Sequence, residues 1–256
     1  MKTIAISGKG GTGKSTLSAL IIRWLGDQGW GPVLAVDADP NVNLNDLLGV
    51  RLEETVGAIR EELKRSAHKI PGGMTKQEFL EYKIHASLIE TRNYDLIAMG
   101  RPEGPGCYCY ANNLLREILK TLSDNYRFVV IDNEAGMEHL SRRTVQHIDF
   151  LLIVSDPSPR GVRAAGKISR LLSELDTRVT EMHLILNRVK GKIPEKLQKT
   201  IEGENLNLFF SLPEDDELLR MDQAGVPVWK IDEDSQAYRG VRQLMTELMK
   251  RGKNGI

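Results

Sequence analysis

Gly8-Lys9-Gly10-Gly11-Thr12-Gly13-Lys14-Ser15 satisfies the spacing G-x-x-x-x-G-K-[ST], and it stands where that spacing has a mechanism. Ahead of it, residues 3–7 form an aliphatic run of strand character. Behind it, residues 15–28 repeat apolar positions at helical spacing and close on Gly29. A strand, a glycine-rich turn and a helix N-terminus make an anion cradle. The glycines let backbone N–H groups turn inward, and the helix end adds partial positive charge. Lys14 is placed to neutralise the β- and γ-phosphates of a nucleotide, and the Ser15 hydroxyl to ligate Mg²⁺. Gly8, Lys9, Gly10, Gly11, Thr12, Gly13, Lys14, Ser15 and Thr16 are the expected nucleotide-contacting set. The alternative is a glycine-rich strand–helix turn with no ligand.

Outward from this turn, apolar runs alternate with helix-length segments, as βαβ units require. Strands are expected at residues 3–7, 33–38, 95–99, 128–132, 151–155, 182–187 and 206–210. Helices are expected at 15–28, 44–48, 53–66, 76–90, 111–122 and 238–250. Several strands are unbroken aliphatic runs, the pattern of a parallel sheet covered on both faces. The fold class is α/β: a single doubly wound, mostly parallel sheet flanked by helices. With no repeat, low-complexity stretch or composition shift in 256 residues, one P-loop domain spanning residues 1–256 is the economical division.

Composition narrows the function classes. Lys+Arg and Asp+Glu both number 35, and the resulting net charge of +0 argues against a basic nucleic-acid coat. Two cysteines cannot build a disulfide framework. No apolar run approaches the ~20 residues of a membrane helix, and no signal-peptide pattern follows Met1. A soluble, cytoplasmic protein is the expectation. The final helix carries Val241, Leu244, Met245, Leu248 and Met249 on one stripe, read as core packing rather than a membrane-surface face. Arg160, Arg163, Lys167 and Arg170 fall at near-helical spacing and read as a solvated face.

A second lysine directly after the first glycine, in Lys9-Gly10-Gly11-Thr12-Gly13-Lys14-Ser15, resembles the deviant Walker A box of the MinD, ParA and nitrogenase-iron-protein class of ATPases. The resemblance implies ATP and ADP as ligands. It also implies a homodimer in which Lys9 reaches the partner's nucleotide, stabilising phosphoryl charge in trans as an arginine finger does. It makes Asp39, after the second strand, the residue that orients the attacking water, with Asp37 nearer the Mg²⁺ water shell. Asp132, closing the run 128–131, reads as the Walker B carboxylate, and Glu134 is a rival for the general base. Catalysis would then rest on Lys9, Lys14 and Asp39, and Mg²⁺ on Ser15, Asp37 and Asp132. Asn187-Arg188 resembles the position where this class reads the adenine edge, and Leu212-Pro213-Glu214 the loop that covers the base. Each of these polar residues could also simply cap a strand or helix.

Cys107-Tyr108-Cys109 follows the loop Gly104-Pro105-Gly106 and precedes a helix. Two thiols do not complete a metal site, and by themselves they read as packing at a helix start. In a two-fold dimer, two thiolates from each subunit would converge on one ion, suited to Zn²⁺, Ni²⁺ or Cu(I). The iron protein's electron-transfer pattern needs a cysteine just after the Walker B aspartate, whereas here that segment reads Asp132-Asn133-Glu134-Ala135-Gly136. The stretch Met99-Gly100-Arg101-Pro102-Glu103-Gly104-Pro105-Gly106-Cys107-Tyr108-Cys109 is instead similar to the CooC family of nickel-insertion accessory ATPases. That resemblance implies Ni²⁺ or Zn²⁺ at Cys107 and Cys109, and carbon monoxide dehydrogenase as client; the balanced charge and the packed final helix argue for neither nucleic acid nor membrane as partner. An iron–sulfur reductase and a ParA- or MinD-like positioning ATPase are the competing readings. His139 and His147 read as hydrogen-bonded structure rather than extra metal ligands.

Overall fold

A computed structural model describes residues 1–65, 70–101, 125–134, 147–173 and 178–251. The strands β1 (Lys2–Gly8), β2 (Val33–Asp37), β3 (Ile89–Glu90), β4 (Asp95–Ala98), β5 (Phe128–Asp132), β6 (His147–Ser155), β7 (Arg178–Val189) and β8 (Leu208–Pro213) form one sheet. Its order is β3-β4-β2-β5-β1-β6-β7-β8. Among the described residues every neighbouring pair is parallel except β3–β4. The doubly wound parallel fold is therefore as the sequence predicts.

Side chains alternate along each strand, so both faces are buried. Ile4, Ile6, Val130, Leu152 and Val154 meet α1 (Lys14–Asp27), α2 (Leu44–Leu48) and α8 (Gln236–Arg251) on one face. Ala5, Val36, Ile131, Leu151 and Leu184 meet α3 (Val56–Arg65), α4 (Lys76–Ala86), α5 (Pro159–Ser173) and α6 (Glu195–Gly203) on the other. A further helix, α7 (Asp216–Gln223), leads into a short 3₁₀ turn at Val228–Lys230. The stripe Val241, Leu244, Met245, Leu248 and Met249 lies wholly inside the first of these cores. Each such aliphatic side chain contributes about 1.5–3 kcal/mol by leaving water, so α8 is a structural helix.

Two expectations change. The helix expected over 76–90 ends at Ala86, with Ser87 as its cap, and Ile89–Glu90 becomes an antiparallel edge strand on β4. Its start is well specified, because Thr75 and Glu78 exchange the two hydrogen bonds of a capping box. Strands β6 and β7 also reach further than the apolar runs that announced them, and β8 starts two residues later than expected and ends at Pro213. The helix expected over 111–122 lies outside the described residues.

Register places the chemistry. Ile6 pairs with Asp132 and Asp37 pairs with Asp132, so β1, β2 and β5 end together. The glycine loop, Asp37 and Asp132 thus share the carboxyl edge of the sheet, where ligands bind in open α/β folds.

Candidate functional site

Gly8 is buried at the end of β1 with φ +150°, and a Cβ there would run into the Val154 carbonyl of β6. Gly13 caps α1 in the left-handed region at φ +88°, and a Cβ there would strike the Asn187 amide. Between them the Lys9 carbonyl is a hub. It accepts from Thr12 Oγ1 at 2.8 Å, from Thr12 N at 3.4 Å and from Lys14 Nζ at 3.4 Å. The α1 N-terminus has no side-chain cap among the described residues and no acid in its first turn, so its free N–H groups and dipole face the loop. Lys14 is turned inward and buried, whereas Lys9 and Gly10 are exposed at the tip.

Asp132 is 1% exposed. Its Oδ1 accepts from Ser18 Oγ at 3.2 Å, while its buried Oδ2 takes no hydrogen bond among the described residues. Burial pushes its carboxyl up to about 7, and Asp37 adds to the rise; Ser15, Lys14 and Ser18 oppose it. Burial also lowers the Lys14 ammonium from its ordinary range, against the pull of Asp132, Asp39 and Glu134. An orphaned hard oxygen beside a serine hydroxyl and a desolvated lysine is chemistry that fits a hydrated Mg²⁺ and phosphate.

Asp37 is fully buried, and its oxygens are occupied by backbone donors. Oδ1 accepts from Asp39 N at 3.0 Å, and Oδ2 accepts from Asn43 N and Leu44 N, each at 2.9 Å. Burial still raises its carboxyl above the usual range despite these bonds. It fixes the β2–α2 turn and with it Asp39, which is half-buried and accepts from Asn41 N at 2.8 Å.

A cavity of about 380 Å³ opens from the end of the loop. It is lined by Gly13 and Thr16 at the start of α1, by the apolar Leu17, Leu20 and Val241, and by Asn187, Arg188, Pro213 and Asp215. Asn187 Nδ2 donates to the Thr12 carbonyl at 2.8 Å, and its Oδ1 accepts from Arg188 N at 3.0 Å. The structure thus brings Asn187, Arg188 and Pro213 to the mouth of the phosphate loop. Asp215 escaped the sequence reading. Its Oδ1 caps α7 through Glu217 N at 2.8 Å and Leu218 N at 3.4 Å, and its Oδ2 accepts from Ala237 N of α8 at 2.7 Å. Its place just before a charged helix start is a legible cap signal.

Cys107, Cys109 and His139 lie outside the described residues. His147 opens β6 at the far edge of the sheet, where its Nε2 meets Asp149 Oδ1 at 3.5 Å and Thr180 Oγ1 at 3.4 Å. Among the described residues no group of three or more His, Cys, Asp or Glu is placed to hold a metal ion. Among them, too, no helix is long and apolar enough to cross a membrane. On α5 the residues Arg160, Arg163, Lys167 and Arg170 are exposed, as read, and Arg170 pairs with Glu204 at 2.8 Å.

Loop, carboxyl-edge aspartates and apolar cavity together define a nucleotide-binding P-loop protein. The profile for the CobQ/CobB/MinD/ParA nucleotide binding domain, CbiA, matches residues 3–228, and the chain belongs to that family. It is 44% identical over 248 residues to an uncharacterized ATP-binding protein of Methanocaldococcus jannaschii, covering 96% of this chain and 98% of the relative. It is 30% identical over 260 residues to the carbon monoxide dehydrogenase accessory protein CooC of Rhodospirillum rubrum, covering 97% and 96%. A ParA family ATPase from Chlorobium tepidum TLS matches in structure with a TM-score of 0.73 at 21% identity, covering 96% and 98%, a likeness of fold.

Proposed function

We propose that this protein is a dimerising, ATP-hydrolysing accessory ATPase that carries a transition metal on Cys107 and Cys109 and assists nickel insertion into carbon monoxide dehydrogenase. The observation that carries the ATPase reading is the contrast between the two loop lysines. Lys14 is buried among Asp132, Asp39 and Glu134, while Lys9 stands exposed at the tip with its carbonyl engaged in the loop. One lysine serves its own protomer, and the other is free to serve a second. The C-x-C pair and the 30% identity to CooC along nearly the whole chain support the metal reading.

The phosphates of ATP dock on the N–H groups of the loop and of the α1 N-terminus, and Lys14 neutralises charge at the β/γ end. Mg²⁺, held through Ser15 and Asp132, supplies charge neutralisation of the phosphoryl oxygens when bound. Asp37 occupies its oxygens in shaping the β2–α2 turn and so acts on that ion through position. Asp39, held by that turn, orients the attacking water and takes its proton. Lys9 of the partner stabilises the charge that develops on the transferred phosphoryl group. Asn187 and the loop at Pro213 hold the base in the apolar cavity. Closure around ATP brings two cysteine pairs together on one Ni²⁺ or Zn²⁺ cargo, and hydrolysis loosens them. To switch, ATP must favour the closed state by several kcal/mol over ADP.

Metal analysis of the anaerobically purified protein tests the cysteine assignment. C107S/C109S should lose stoichiometric nickel or zinc and keep ATP binding. Full metal stoichiometry in that variant would remove the metallochaperone reading and leave a positioning ATPase of the MinD or ParA kind.

A further inference from the structure

We infer that Arg188 is a positioning residue of the phosphate loop, a latch that holds the Gly11 carbonyl and thereby keeps the loop set for a diphosphate. The inference rests on the nucleotide reading above and deepens it. Arg188 Nη1 donates to Gly11 O at 3.3 Å, next to the bond from Asn187 Nδ2 to Thr12 O at 2.8 Å. Two consecutive residues at the end of β7 therefore hold two consecutive carbonyls of the loop.

The loop needs such a restraint at this point. Gly11 is exposed with φ +77°, and nothing lies within 4 Å of where its Cβ would be. No neighbour packs where its Cβ would be, and glycine itself gives little resistance to rotation. In a trans peptide the C=O and the following N–H point in opposite directions. Turning the Gly11 carbonyl toward Arg188 therefore sets the Thr12 N–H on the opposite side, where it meets the Lys9 carbonyl at 3.4 Å. That long bond and the 2.8 Å bond from Thr12 Oγ1 to the same carbonyl hold the Thr12 side of the peptide, and Arg188 holds its Gly11 carbonyl. Asn187 does the same for the next peptide and directs the Gly13 N–H into the loop. Ordering these donors before the ligand arrives removes an entropy cost from binding.

Arg188 itself is shaped for the task. It is not glycine, yet its φ is +58°, a left-handed conformation that is strained for a residue with a Cβ. The Asn187 Oδ1 acceptor holds its N–H at 3.0 Å in that conformation, and the bend turns the side chain back over the loop. Asn187 serves both base cavity and loop, so its loss should weaken every part of the nucleotide. Arg188 also lines the cavity, but its hydrogen bond runs to the carbonyl of Gly11, so its loss should be felt far more by the phosphates than by the base.

The test compares ADP with adenosine on the full-length protein, by ligand-observed NMR, which reads affinities into the millimolar range. Arg188→Gly is the informative variant, since glycine adopts the native φ without strain and lacks only the side chain. ADP affinity should fall three- to tenfold, the range of one hydrogen bond, and adenosine affinity should stay within twofold. Arg188→Lys should recover part of the ADP loss, because an ammonium can still donate to the carbonyl. Equal losses for ADP and adenosine, or no loss for either, would overturn the latch. A wild-type protein that binds neither ligand would instead overturn the nucleotide reading itself.

Discussion

Asp132 sits in the core with one oxygen unsatisfied among the described residues, a desolvation penalty accepted at a ligand site. Its folded-state carboxyl stands near 7, against an ordinary 3.8, so the folded chain holds this proton more tightly than the unfolded one. Stability from this group is therefore lost as pH rises from about 4 through about 7. Asp132→Asn should raise the melting temperature at pH 8, with the gain vanishing near pH 4, and should abolish Mg²⁺-dependent tightening of ADP. A destabilised variant at pH 8 would contradict that account. His183 has the opposite sign. Burial lowers its imidazole below the ordinary 6.5, with Glu181 and Asn207 at 3.1 and 3.3 Å from its two ring nitrogens. Stability held above pH 6.5 is lost as the ring is forced to charge, so His183→Gln should flatten the fall in melting temperature between about pH 7 and pH 5. Whereas the roles expected of Lys9, Asp37 and Asp39 rest on the family resemblance, Lys14 and the glycines of the phosphate loop were legible because phosphate chemistry ties residue type to spacing. The latch role of Arg188 was not, because the carbonyl it holds is 177 residues away in the chain.

At the scale of elements, β1, β2, β4 and β5 could be read almost to the residue, since strands buried on both faces must be aliphatic throughout. β3 could not, because a two-residue edge strand has no period of its own and Ile89 continues the helical spacing of α4. The base cavity depends on how α7 and α8 begin, and one carboxylate joins them. Asp215 satisfies N-terminal N–H groups of both helices at the rim of the cavity. Losing an N-cap costs about 0.5–2 kcal/mol, which for a chain of this size is roughly 1–8 °C in melting temperature. Asp215→Ala should show that fall together with weaker ADP binding. An unchanged ADP affinity in a destabilised variant would mean that the rim does not depend on the cap.

The whole molecule pairs a fold that was legible with a switch that is proposed. The alternation of strands and helices specifies the doubly wound sheet, and the glycine turn specifies which edge holds the nucleotide. Family membership adds that the domain binds nucleotides. In the proposed function, what the chain does with that nucleotide rests on surfaces that two copies form together. Local spacing reports the chemistry of Lys9 or of a C-x-C pair, but the meeting of two protomers leaves no periodic signal in a single chain. Lys9→Ala should keep ATP binding, because Lys14 serves the protomer's own phosphates, and should lose dimerisation and most of the hydrolysis rate. The most direct measurement is the native mass by light scattering, with metal content read on the same fractions, in a non-hydrolysable ATP analogue and in ADP. The account predicts twice the 28.7 kDa protomer mass with one nickel or zinc per pair in the ATP analogue, and dissociation in ADP. A protomer mass in both nucleotides, with excess metal present and none retained, would contradict it.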